Sequence, residues 1–259
     1  MNLPSASWSA GRARSPDSPA SAGRLRRVRL WDLPLRLFHW GLVAAVTTAV
    51  ITGQIGGEWM KVHGWAGIAV VGLVAFRIVW GLLGPQPARF ASFAPTPKRL
   101  LAYLRGRWQG LGHNPLGAFS VFALLGLLAV QAVTGLFAND DIAFTGPFAL
   151  HVDEALSGRL TGWHHLVADA LLWLIGLHVV AIVFYAVAKR HNLVGPMVTG
   201  WKHVPHDHPV PPQRPVARWV LVLAVLVGLA AGVLASGVWW PDEPPAETPK
   251  TAPAPSPAW

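Results

Sequence analysis

The 259-residue sequence predicts an all-α integral membrane protein: a four-helix transmembrane bundle with a fifth C-terminal transmembrane helix. Three observations predict it. Only 13% of residues are charged, about half the share of an ordinary soluble domain. The apolar residues, 53% of the chain, are gathered into five blocks, each near the roughly 20 helical residues that a hydrocarbon core requires. Gly and Ala recur inside those blocks, as they do where membrane helices pack closely, whereas spanning strands would be shorter and alternate in polarity.

The elements follow in order. Residues 1–30 are rich in Arg, Ser, Ala and Pro and lack the apolar region of a signal peptide, so they read as a disordered basic arm. Spans at 35–55, 62–83, 116–137 and 164–187 place the four-helix bundle within residues 31–202. A Pro/His-rich loop at 203–215 leads into the fifth transmembrane segment, 216–240, with its apolar span at 216–239. Residues 241–259 are a Pro-rich tail without a fold of its own.

Lys and Arg fix the orientation. Seventeen lie in the N-terminal arm and in the loops after the second and fourth spans, against three on the opposite side. By the positive-inside rule the N-terminus is cytoplasmic and the C-terminus lies outside. The net charge of +9 is thereby explained by membrane topology, and no nucleic-acid partner is expected. An outer loop at 138–163 carries Asp140, Asp141, Asp153 and Glu154; it reads either as a docking surface for a partner or as an ordinary solvated loop.

The chain has no cysteine. That excludes disulfides, iron–sulfur clusters, cysteine zinc sites and covalent attachment of c-type haem. Ionisable groups inside membrane spans are costly, and each is a functional candidate. His164 and His178 are fourteen residues apart in the fourth span, about 21 Å along a helix axis and on nearly the same face. His165 points roughly the other way. The first two spans form a hairpin turning near Gly56–Gly57, and His39 and His63 differ in depth by roughly 16 Å. Two pairs result: His63 with His164 near the outside, and His39 with His178 nearer the cytoplasm. Facing imidazoles at one level suit bis-histidine ligation of haem, so four axial ligands to two haem b groups are expected. A zinc ion would find only two of its usual four ligands at either level. Arg77 is fourteen residues after His63, at the inner level, where a buried guanidinium would pair with haem propionates; Arg36 is a weaker candidate for the same job.

At these residues the sequence resembles a known family. The run Trp31-Asp32-Leu33-Pro34-Leu35-Arg36-Leu37-Phe38-His39-Trp40 is similar to the opening motif of the prokaryotic cytochrome b561 family, in particular the b-type cytochrome subunits of nickel–iron hydrogenases. The resemblance continues through His63-Gly64-Trp65-Ala66-Gly67, Phe76-Arg77-Ile78-Val79-Trp80-Gly81, His113-Asn114-Pro115-Leu116-Gly117 and Gln131-Ala132-Val133-Thr134-Gly135. It then runs from His164 to His178 and through Lys189-Arg190-His191-Asn192-Leu193-Val194, covering about residues 28–202. It implies a di-haem b bundle in a bacterial inner membrane, ligated by the same four histidines. It also implies electron transfer between the quinone pool and a redox protein, hydrogenase-type or cytochrome c-type, on the periplasmic side. Such a chain is an electron-transfer subunit of an oxidoreductase, homo- or hetero-oligomeric, more than a complete enzyme. His165 departs from the pattern, since an acidic residue is expected there.

The other features have blander readings. His203, His206 and His208 flank Asp207 in a juxtamembrane loop, more a Pro-rich connector than a metal site. Trp40, Trp65, Trp80, Trp163 and Trp173 are expected at the membrane interface first and beside haem second. Asp169 is expected to hydrogen-bond a neighbouring helix ahead of serving a proton path or a quinone head group. Gln131 and Thr134 are expected to bond between helices. No nucleophile–base pair or nucleotide motif is present. Two competing functions stand beside the favoured one: a stand-alone superoxide/quinone oxidoreductase, and a proton or solute transporter whose histidines titrate without haem.

Overall fold

The computed structural model describes residues 25–142, 144–210 and 215–239. Eight helices and a two-stranded ribbon occur among them: β1 (Leu25–Arg29), α1 (Leu33–Ile55), α2 (Met60–Leu83), α3 (Phe90–Phe93), α4 (Pro97–Leu104), α5 (Pro115–Leu136), α6 (Glu154–Val187), α7 (Val194–Thr199), β2 (Trp201–Pro205) and α8 (Arg218–Ala235). Five of these, α1, α2, α5, α6 and α8, are long and apolar enough to cross a membrane.

Local chemistry explains where the long helices begin. Asp32 caps α1, its carboxylate accepting the Leu35 N–H at 2.9 Å, with Pro34 in the first turn. Asn114 caps α5 in the same way, taking the Gly117 N–H at 2.7 Å ahead of Pro115. Each cap satisfies a backbone donor that the helix itself cannot. The α1–α2 hairpin turns on Gly56 and Gly57, with φ of 70° and 57°, a left-handed conformation that glycine adopts at least cost.

α6 corrects the expected boundary. Asp153 accepts the Leu156 N–H at 2.8 Å, and the helix runs 34 residues from there. The outer loop is shorter than 138–163, and His164 lies well inside α6 instead of opening it. Hydropathy marks the part of a helix inside the membrane; the cap marks where the helix begins. In the loop that remains, Asp140 accepts the N–H groups of Ile142 and Phe144 at 3.0 and 2.8 Å. Two of the four acidic residues assigned to a docking surface, Asp140 and Asp153, therefore also shape the backbone.

α2 is the hub. It packs against α1, α5 and α8, while α5 packs against α6. α1 and α6, which carry His39 and His178, are not a closely packed pair. α8 meets α2 where two glycines cross: a Cβ on Gly72 would sit 2.9 Å from the Gly228 carbonyl, and one on Gly228 2.8 Å from the Gly72 carbonyl. Small residues let the backbones approach this closely, which is how membrane helices gain packing contact. One apolar core joins Val70, Val74, Leu128, Val167 and Leu171 between α2, α5 and α6; a second gathers Trp31, Leu35, Phe38, Trp80 and Val220 at the opposite end from the hairpin turn.

The ribbon is a second correction. Residues 25–29, expected within a disordered arm, pair antiparallel with 201–205, from Leu25 against Pro205 to Arg29 against Trp201. The Arg27 guanidinium lies 4.4 Å over the Trp201 ring. The Pro/His-rich loop accordingly gives up His203 to β2. A five-residue strand whose partner is far away in sequence leaves no local signal strong enough to read. Residues 1–24 of the arm, Pro211–Arg214 of the loop, Trp240 and the 241–259 tail lie outside the described residues.

Candidate functional site

The outer level is built from four helices. His63 of α2 and His164 of α6 place their rings 6.0 Å apart, centroid to centroid, with planes crossed at 77°. The His63 Nδ1 lies 2.8 Å from the Ala49 carbonyl of α1, and the His164 Nδ1 lies 3.0 Å from the Gln131 carbonyl of α5. A carbonyl only accepts, so each Nδ1 carries the hydrogen and each Nε2 keeps its lone pair. Thr134 Oγ1 stands 3.3 Å from the same His164 nitrogen. Glycine makes room for both rings: a Cβ on Gly53 would lie 2.9 Å from His63 Nδ1, and one on Gly135 2.7 Å from His164 Cε1. Phe144, from the outer loop, closes edge-on over His63 at 6.2 Å.

The inner level has different surroundings. His39 of α1 and His178 of α6 lie near each other. His39 Nδ1 is buried without a hydrogen-bond partner, and the nearest side-chain oxygen bonded to His178 Nδ1 is Ser120 Oγ at 3.5 Å. Arg77, only 3% exposed, lies 4.4 Å over the Phe90 ring with its Nη1 unpartnered. Phe90 occupies the space that any side chain at Gly81 would need. Arg36 has other work, donating to the Val198 carbonyl at the end of α7. Asp32 accepts from Trp80 Nε1 at 3.1 Å, and burial raises its carboxyl above the usual range.

The structure thus brings His63 and His164 together, sets His39 near His178, and puts Arg77 at the inner end. His165 is exposed. Gln131 and Thr134 do bond between helices, and His164 is what they bond. Asp169 departs from expectation: it is exposed beside Leu172, Trp173 and Gly176 on the outward face of α6. Trp40, Trp65, Trp163 and Trp173 also face outward, whereas Trp80 is buried on the Asp32 cap, clear of the interface. Of the cluster at 203–208, His203 is taken into β2 opposite Arg27 and the His208 carbonyl accepts from Arg26.

Sequence reasoning missed His113, noticed only within a motif. It sits before α5 between Trp31 and Phe93, ring centroids 4.8 Å from each. Burial, reinforced by the Arg77 charge, pushes its imidazole down to about 4, so it is neutral at pH 7. The glycines were missed too; their signal was faint, a Gly four residues after Ala49 and another four after Gln131, each one turn from a carbonyl that a histidine uses.

These atoms allow a test of fit to haem. Two imidazoles bound through Nε2 to opposite sides of one iron, with bonds of about 2 Å as in other metal–imidazole sites, place their centroids roughly 6 Å apart. The outer pair has that separation and the required tautomers, and ligating histidines are held in this way by their second nitrogen. One feature must give: Gln131 Nε2 lies 2.9 Å from His164 Nε2, the nitrogen that would face iron. Among the described residues no group of three His, Cys, Asp or Glu side chains could hold a bare metal ion.

Comparison with known proteins matches residues 30–200 to the family described as prokaryotic cytochrome b561. A probable Ni/Fe-hydrogenase B-type cytochrome subunit of Azotobacter vinelandii is 26% identical over 233 residues, covering 70% of this chain and 91% of that protein. The protein of the same description from Rhodobacter capsulatus is 25% identical, covering 72% and 86%. A probable superoxide oxidase CybB of Yersinia pestis is 26% identical over 167 residues, covering 60% and 87%. No solved structure matches.

Proposed function

The chain belongs to the prokaryotic cytochrome b561 family and is a multi-pass membrane b-type cytochrome of electron transfer; from that premise we propose that it holds two haem b groups and passes electrons between the quinone pool and a redox protein on the periplasmic face. The observation that carries the reading is the outer pair, His63 and His164, at 6.0 Å with each Nδ1 tied to a backbone carbonyl.

The chain's own residues do four things in this reading. His63 and His164 present Nε2 to an outer haem, and His39 and His178 to an inner one. Gln131, whose Nε2 lies 2.9 Å from His164 Nε2, would have to turn its amide away for that nitrogen to bind haem. Arg77 would lend its unpartnered Nη1 to a propionate of the inner haem; Arg36, which donates to Val198 through Nη1 and has Nε unbonded, is the lesser candidate. Apolar helices exclude water around both levels. Haem, once bound, supplies reversible one-electron chemistry, tuned by ligand and surroundings. Two levels about 21 Å apart along α6 form a relay from one membrane face to the other. The charge asymmetry supports a cytoplasmic N-terminus and a site in a bacterial inner membrane.

Relatives named as hydrogenase cytochrome subunits support a hydrogenase-type protein as electron donor or acceptor, with a c-type protein as the alternative. A second reading has its own support in the superoxide oxidase relative: a self-sufficient superoxide/quinone oxidoreductase. Reduced-minus-oxidised spectra with haem counted per chain test the proposal. Two haems b, with one lost in His178→Ala, are expected; a well-folded chain without haem overturns it and favours a histidine-based transporter. Quinone reduction by superoxide with purified protein alone would select the second reading.

A further inference from the structure

His113 has no job in the function proposed above, on which this inference rests. Its Nδ1 is buried with no hydrogen-bond partner, an arrangement that costs stability unless something supplies a partner. The ring is clamped between Trp31 and Phe93. Phe93 meets Phe90 at 6.1 Å, and Phe90 carries Arg77 on its face. The charged and titratable groups facing His113 are Arg77, His178 and His39, in that order of influence. Two buried nitrogens, Nη1 of Arg77 on α2 and Nδ1 of His113 before α5, therefore make no hydrogen bond within the chain. Asp32 spends Oδ1 on Leu35 and Trp80 and leaves Oδ2 buried and unbonded, and it makes no hydrogen bond to either nitrogen.

We propose that His113 and Arg77 together bind one propionate of the inner haem, the guanidinium by charge and the imidazole by a single N–H from Nδ1. Packing alone would explain the clamp but not an unpartnered nitrogen in it. The acceptor must carry negative charge, because it sits against a guanidinium in a water-poor site. His113 would then help set the potential of one haem: a propionate that loses a donor favours the ferric state, and the midpoint falls.

The test is a spectroscopic redox titration of the full chain, wild type against His113→Ala and His113→Gln. It is repeated after reconstitution with haem whose propionates are methyl esters. The expected result is a lower midpoint for one haem in the Ala variant, with the other haem unmoved. Gln, which keeps a donor, should recover most of the shift, and esterified haem should erase the difference between wild type and variant. Equal midpoints in wild type and Ala overturn the proposal. So does a shift that survives esterification, which would place the acceptor on a quinone carbonyl. Should the Ala variant lose the inner haem outright, the Gln variant is expected to keep it; loss from both reduces His113 to a packing residue. A wild-type chain without haem fails the reading beneath this one, and is distinguishable from all of these outcomes.

Discussion

The two histidine levels are held by different means. At the outer level the backbone does the orienting: carbonyls of Ala49 and Gln131 take the Nδ1 hydrogens, and Gly53 and Gly135 leave the rings their space. At the inner level side chains stand there instead: Ser120 lies 3.5 Å from His178 Nδ1, His39 Nδ1 has no partner, and Arg77 and His113 each carry an unpartnered nitrogen. Backbone carbonyls cannot be mutated away and carry no net charge. The outer level is therefore built for fixed geometry, and the inner level for adjustable electrostatics. In a relay that distinction would let one haem be tuned while the other stays put.

Substitutions can break this contrast. The largest effect is expected from the ligands: His164→Ala should remove the outer haem alone and His39→Ala the inner alone, each halving the haem per chain in a pyridine haemochrome assay. Loss of both haems from either change would mean that the levels are one cooperative unit. Next is Gly135→Val, which drives atoms into the His164 ring. Overpacking costs about 1–3 kcal/mol, so outer haem affinity should fall roughly tenfold or more in a haem-transfer titration, with the inner haem retained. Third is Arg77→Gln, where both haems should remain and only the inner midpoint should fall. A matching fall at the outer haem would show that charge is not local to one level. The smallest effect is Ser120→Ala: at 3.5 Å the contact is near the limit of a hydrogen bond, and both spectra and midpoints should stay close to wild type.

Much of this was legible because it is periodic or long. Twenty apolar residues announce a span, and fourteen residues in a helix return to one face; with the depths in the α1–α2 hairpin, that grouped the histidines into two levels, and His63 does meet His164. The entry of α6 was hidden because its first ten residues, from Glu154 to Trp163, are too polar for hydropathy and were marked only by the Asp153 cap. The β1–β2 ribbon was hidden because its two strands are far apart in the chain. His113 was hidden for a related reason: its importance comes from Trp31, Phe93 and Arg77, three residues that only the folded chain assembles around it. Asp169 looked like an interhelical bonder because α6 was assumed to be surrounded, yet its side chain lies on an exposed face of that helix.

The ribbon also sets an order for biogenesis. About 170 residues separate Arg29 from its partner Trp201, so at roughly 5–20 residues per second of synthesis β1 waits some ten to thirty seconds for β2 to leave the ribosome. By then α1, α2, α5 and α6 have all been made. The clasp closes only on a chain whose histidine-bearing helices are already present, and a nascent chain stopped short of residue 201 would remain open at that end.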